Sequence, residues 1–242
     1  MILNALFWEH YFRAEFLPQI KALVDTLEKR VLPGFSEIEK EAEQVSEDAW
    51  EKFMEIPATG DEDPSDFADI AEQAGVSHYL LLSGIRQGML NLFAAALHHA
   101  FEQQIMLFHR REVLRLHEEN DTSLMNISLF CARLSEHRID VANFQSWPTV
   151  EELRHVANVV KHAEGRSAKA LHEVRPDMFN SPETKRFEFM TLRPPRVFQP
   201  LVGEDLYVTL EDIKVYKEAT LEFWRELLGA MMIAQYDRDS GT

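Results

Sequence analysis

Between Leu90 and Phe108 the chain reads L-N-L-F-A-A-A-L-H-H-A-F-E-Q-Q-I-M-L-F, with no proline or glycine. Wound as a helix, this stretch is apolar on nearly every side. Such a helix is stable in water only when other elements surround it, so it belongs at the centre of a bundle. The helical pattern extends from about Phe67 to Leu116, with Gly75, Gly84 and Gly88 as points where it bends or divides. Only 9 Gly and 10 Pro occur in 242 residues, too few for a loop-rich β protein, while Leu, Ala and Glu favour helix. The expected fold is all-α, a helical bundle.

The other elements follow from periodicity and breakers. Leu17, Ile20, Leu23, Val24, Leu27, Val31 and Leu32 recur at three- and four-residue steps, an amphipathic helix that Pro33-Gly34 interrupts before a second helix from Ser36. Residues 1–56 thus form a helical hairpin. Residues 57–66, P-A-T-G-D-E-D-P-S-D, are an acidic loop, with Ser65 or Asp66 placed to cap the next helix. A core of helices spans 67–180. Within it lie a helix from about Ser123 to Leu134 and another that Pro148 opens, with Ser146 or Trp147 as its cap. Ser167 to Val174 forms a short helix. Residues 183–210 carry E-F-M-T-L and L-Y-V-T-L, each suited to a short strand, and are expected to pair as a small β-hairpin appendage. T-L-E-D from Thr209 reads as a capping box for a C-terminal helix over 211–236. The whole reads as a single helical domain over 1–242.

Composition removes several classes of function. Cys131 is the only cysteine, so a disulfide framework within the chain and a cysteine-rich zinc site are both excluded. It lies in S-L-F-C-A-R-L, the setting of an inert buried thiol. The most apolar windows, Y-L-L-L-S-G-I and L-L-G-A-M-M-I-A, fall short of the roughly 20 residues of a membrane span. The N-terminus lacks the pattern of a secretion signal, so no membrane association and a cytoplasmic location are expected. No phosphate-loop, dinucleotide-binding or serine-hydrolase motif occurs. The net charge of −16 disfavours sequence-independent nucleic-acid binding. The charge is uneven, however. Ser36 to Glu72 is dense in Asp and Glu, while Lys161 to Arg196 is mildly basic through Lys161, Arg166, Lys169 and others.

One helix carries the chemistry. From Val150 to Ala163, at about 100° per residue, Leu153, Val156, Ala157, Val159, Val160 and Ala163 fall on one side. Glu151, Arg154, His155, Asn158, Lys161 and His162 fall on the other. Arg154, Asn158 and His162 follow one another at four-residue steps and line up along the helix. A histidine can take or give the proton of an RNA 2′-hydroxyl, a guanidinium can hold a phosphate, and an amide can orient either. The same pattern also describes the solvated face of any amphipathic helix.

The stretch A-N-V-V-K-H-A-E-G, in its helix–turn–helix setting, resembles the signature region of HEPN-type proteins, the helical superfamily of many bacterial toxins and defence ribonucleases. Their usual motif is arginine, then commonly asparagine, a few further residues, then histidine. The long apolar helix with L-H-H-A-F-E is similar to the family's central helix. The resemblance covers roughly residues 80–180 and aligns Asn158 and His162 with the motif, with Lys161 and Gly165 around the histidine. It implies a metal-independent endoribonuclease of bacterial stress or phage defence, without a cofactor, acting as a homodimer. The family's arginine position is Ala157 here. Arg154, one turn earlier on the side of Asn158, is the geometric substitute. The expected catalytic set is therefore Arg154, Asn158 and His162, with Lys161, Arg166 and Lys169 contacting RNA. A non-catalytic interaction module whose acidic N-terminal half engages a protein partner remains the alternative.

Two metal readings are weaker. Glu152 and His155 have the E-x-x-H spacing of di-iron bundles, but no second such motif occurs. His98 and Glu102 stand four residues apart and suit a hydrogen-bonded core pair better than a metal site. No metal is expected. Trp8, Trp50, Trp147 and Trp224 read as packing residues.

Overall fold

The computed structural model describes residues 3–55, 63–181, 201–202 and 205–239. All of their regular structure is helical: α1 (Ala5–Tyr11), α2 (Leu17–Thr26), α3 (Ile38–Met54), α4 (Pro64–Phe108), α5 (Ile127–Glu136), α6 (Trp147–His162), α7 (Arg166–Val174) and α8 (Leu210–Asp239). Single π-type turns join α1 to α2 and extend α2 and α4. The chain forms two compact units, Met1–Asp25 with Leu90–Thr242, and Thr26–Met89. Both boundaries fall in helical backbone rather than at a loop.

The larger unit is built on an aromatic cluster. Trp8, Phe12 and Phe16 from the N-terminal helices, Phe101 and Phe108 from α4, and Phe223 and Trp224 from α8 are each 3% exposed or less. Ring centroids lie 4.6 Å apart for Phe12–Trp224 and 4.7 Å for Trp8–Phe108, edge-on or tilted as aromatic quadrupoles prefer. The indole nitrogens of Trp8 and Trp224 find partners. The Trp224 indole donates to Gln104 Oε1 (3.0 Å), and Gln104 Nε2 donates to the Phe16 carbonyl (3.1 Å) and to Gln19 (2.9 Å). The Trp8 indole donates to Glu112 (2.8 Å).

In the smaller unit, α3 meets the N-terminal part of α4 at Gly75. A Cβ added there would come within 2.8 Å of the Ala42 carbonyl, so only glycine allows the approach. Phe53 and Phe67 stack at 5.1 Å beside it. Gly75, Gly84 and Gly88 do not divide α4, which runs unbroken. It starts at Pro64, with Asp63 accepting from the Ser65 backbone (2.9 Å), so the cap lies ahead of Ser65 and Asp66.

Among the described residues no strand occurs, and the expected β-hairpin is not seen among them. Its first half, Glu188–Leu192, lies outside the described residues. Its second half is a buried extended segment running into α8. There the side chain of Asn91 replaces a partner strand: its Nδ2 donates to the Leu206 carbonyl (2.8 Å) and its Oδ1 accepts from Val208 N–H (3.3 Å). Tyr207 N–H donates to the Met178 carbonyl (2.7 Å). Buried backbone needs partners, and one amide supplies both kinds. The capping box at α8 does form. Thr209 N–H donates to Asp212 Oδ2 (2.9 Å) and Asp212 N–H to Thr209 Oγ1 (3.1 Å).

Candidate functional site

α6 is amphipathic along its length. Val150, Leu153, Val156, Ala157 and Val159 are buried. Glu151, Arg154, His155 and Asn158 are half-buried on the opposite side, and Lys161 and His162 stand exposed in the last turn. At the start of α6 the Ser146 side chain does not cap. Its hydroxyl donates to Glu226 of α8, whose carboxylate also accepts Gln145 N–H (2.7 Å) and Ser146 N–H (3.2 Å). At the other end, Ala163 (φ +55°) and Gly165 (φ +138°) turn the chain sharply into α7. Ala163 adopts a conformation disfavoured for a residue with a Cβ, next to His162.

The expected catalytic residues do not converge within one chain. Arg154 is held by Glu151 in a two-point ion pair, Nη2 to Oε2 at 2.8 Å and Nε to Oε1 at 3.1 Å. Asn158 donates to Ser167 Oγ of α7 at 3.3 Å and so braces the helix pair. His162 and Lys161 face solvent at the α6–α7 turn, where Arg166 and Lys169 are also exposed. These four basic groups gather at one end of the α6–α7 pair.

Arg154 instead borders a cleft of about 670 Å³, lined also by Glu102, Met106, Asp140, Trp147 and Glu151. Three carboxylates against one guanidinium make this cleft acidic. Cys131 lies on its wall, and burial pushes the thiol up to about 11, which makes it a poor nucleophile.

Sequence reading placed His98 in a hydrogen-bonded pair with Glu102. The residue does lie in the core, 5% exposed, but its Nδ1 has no partner among the described residues. Burial, then the charges of Lys161 and Arg154, lower it to about 4, with Glu151 acting in the opposite sense. His155 is lowered for the same first reason. Neither residue type nor spacing revealed these orphan nitrogens, because burial depends on which helix lies opposite.

Glu152, the acid of the E-x-x-H spacing, is already engaged. Its Oε1 accepts from Arg175 (2.7 Å) and from the Tyr216 hydroxyl (2.6 Å), and Arg175 also binds Asp177 (2.9 Å) and Asp212 (2.7 Å). Burial and the bond to Glu152 raise the Tyr216 hydroxyl. Arg175 thus holds three carboxylates around the α6, α7 and α8 ends. Arg175→Met is expected to cost about 2 kcal/mol of stability, read as a lower urea midpoint, because Glu152 and Asp212 lose their counter-ion. A midpoint unchanged from wild type would show the cluster to be only surface charge. Among the described residues no group of three or more His, Cys, Asp or Glu side chains is arranged to hold a metal.

No family model, curated protein or solved structure matches the chain.

Proposed function

We propose that this chain is a HEPN-like protein that cleaves RNA without a metal ion, as a pair of copies, in bacterial stress or phage defence. The observation that carries the reading is the division of α6 at its motif. Ala157, where the family's arginine would stand, is 0% exposed and faces the core, while Arg154, Asn158, Lys161 and His162 share the outward side. An arginine at 157 would have to be buried, so the cation falls to Arg154. In the reaction His162 takes the proton from a 2′-hydroxyl and the oxygen attacks phosphorus; the bond from phosphorus to the 5′-oxygen breaks, that oxygen takes a proton from water, and a 2′,3′-cyclic phosphate and a free 5′-hydroxyl result. Arg154 holds the phosphate once that group displaces Glu151, and Lys161, Arg166 and Lys169 bind flanking phosphates.

The test is incubation of purified protein with RNA and a chelator. Cleavage is expected in wild type and lost in His162→Ala. Glu151→Gln is expected to bind RNA more tightly, because it frees Arg154. Absence of cleavage, or cleavage unchanged in His162→Ala, removes the enzymatic reading.

The second reading, a non-catalytic interaction module, is favoured by the Arg154–Glu151 pair, which neutralises the one guanidinium proposed to act. In that case the exposed Glu39, Glu43, Glu47 and Glu51 of α3 form the docking surface for a basic partner. Charge reversal of α3 would then abolish capture of that partner and leave RNA untouched.

A further inference from the structure

The cleft beside Arg154 is polar at one end and apolar at the other. It lies wholly within the larger unit, between α4, α5 and α6, and its volume of about 670 Å³ is that of a small-molecule site. Along α4 the order is His98, Glu102, Met106, one turn apart. Along α6, read backwards, it is Lys161, Arg154, Trp147. The charges of Lys161 and Arg154 act on His98, while Met106 and Trp147 both line the cleft. Glu102 therefore stands towards Arg154, and Met106 towards Trp147. Met125 and Ile127, where α5 begins, add carbon to the wall.

The three carboxylates of the cleft are not equivalent. Glu151 is committed to Arg154 by the two-point pair. Asp140 Oδ1 accepts Ala142 N–H (3.1 Å) and its Oδ2 accepts from Asn143 Nδ2 (2.8 Å), which caps the turn Val141–Asn143. Glu102 is half-buried and has no hydrogen bond or ion pair among the described residues. A carboxylate drawn out of water without a partner costs stability. One turn away on the same line of α4 stands His98, 5% exposed, with its Nδ1 unpartnered among the described residues. Its imidazole is neutral at pH 7, so it does not serve Glu102 as a counter-ion. A carboxylate and a neutral imidazole both accept N–H donors. Here they stand together with no donor, and carbon lines the wall beyond them.

We infer that the cleft binds a small organic amine, with the ammonium on Glu102 and the apolar body along Met106, Met125, Ile127 and Trp147. An ammonium brings the positive charge and the N–H donors that this end lacks. The Trp147 ring offers both dispersion and a face for the cation. Other ligand classes fit worse. An anion would meet three carboxylates against one guanidinium already paired. A neutral apolar molecule would leave Glu102 unmatched and more deeply desolvated. A bare metal ion would find no group of three or more ligating side chains among the described residues. The assignment does not rest on the RNA reading. It uses neither Asn158 nor His162, and it holds equally in a protein that cleaves nothing.

The experiment titrates the full chain, carbon-13-labelled at its methionine methyl groups, with phenethylamine at neutral pH, alongside calorimetry. The Met106 and Met125 signals are expected to shift to saturation, while those of Met178 and Met231, buried away from the cleft, stay in place. Glu102→Gln keeps the shape and removes the charge. It should weaken binding at least tenfold with the melting temperature unchanged or raised, which no loss of fold explains. Phenylpropionate, which carries a carboxylate in place of the ammonium, should not bind. Methylammonium, which lacks the body, should bind at least tenfold more weakly. 1,4-Diaminobutane separates two kinds of amine, and either supports the assignment. Binding tighter than phenethylamine that Asp140→Asn weakens identifies a diamine spanning both carboxylates; weaker binding identifies a monoamine. No shift at Met106 and Met125 with either amine overturns the assignment. So do equal shifts at all methionines, an affinity unchanged in Glu102→Gln, or phenylpropionate or methylammonium binding as tightly as phenethylamine.

Discussion

Trp224→Ala is expected to lower the stability of the larger unit by about 3–5 kcal/mol, the largest single-residue effect in the molecule. Trp224 is 1% exposed, and its ring centroid lies 4.8 Å from Phe16, 5.3 Å from Phe223 and 5.8 Å from Phe101. Truncation would open a cavity at the junction of the N-terminal helices, α4 and α8. Those elements meet from distant parts of the chain and cannot close over it without shifting their backbones. The hydrogen bond adds a second loss, because Gln104 Oε1 would be left without its donor in a dry site. Trp224→Phe separates the two effects. It retains most of the aromatic contact and removes only the indole N–H, so a loss of about 1–3 kcal/mol is expected. Urea titration measures both, and the midpoint should fall while the slope holds. A loss below about 1 kcal/mol for Trp224→Ala would show that the aromatic cluster is not the centre of the fold.

What could be read in advance followed the range over which each feature is determined. The all-round apolarity of Leu90–Phe108 placed α4 at the centre, because no local alternative satisfies nineteen such residues in water. The Thr209–Asp212 capping box was legible because both partners lie within one turn. The inward side of α6, including Ala157, followed from its own period. The second half of the expected β-hairpin went unread for the opposite reason. L-Y-V-T-L has strand composition, but its hydrogen bonds are met by Asn91, 115 residues from Leu206 in sequence. Ser146 does stand at the cap position of α6, but the partner of its side chain was not legible, because Glu226 reaches in from α8, 80 residues from Ser146. At the candidate site, the order of Arg154, Asn158 and His162 along one side was visible. Their separate engagements were not: Asn158 depends on where α7 turns back, and the burial of His98 depends on α4 and α6 meeting.

The burial of His98 has a large consequence for acid stability. Its imidazole is held near 4 in the folded chain against 6.5 in the unfolded one, so between those values the unfolded chain binds the proton more readily. Its contribution is complete above pH 6.5 and is lost as the pH falls towards 4, by roughly 3 kcal/mol in all. His109 and His155 are lowered by burial too and act in the same direction. Folded-state carboxylates held low, such as Glu118 and Asp121, are lost below this window, in the ordinary carboxylate range. Urea midpoints from pH 7.5 to 4.5 should therefore fall steeply in wild type. His98→Leu should flatten the part between pH 6.5 and 4.5 and be more stable than wild type at the acid end. An unchanged slope in His98→Leu would mean that the imidazole is already solvated or paired in the folded protein. The electrostatic setting argues against that. A proton on His98 would face Lys161 and Arg154 across the α4–α6 contact, with Glu151 as the opposing charge already committed to Arg154. Acid would therefore weaken the seat of α6 itself, and the polar line on its outer side would lose its frame along with the fold.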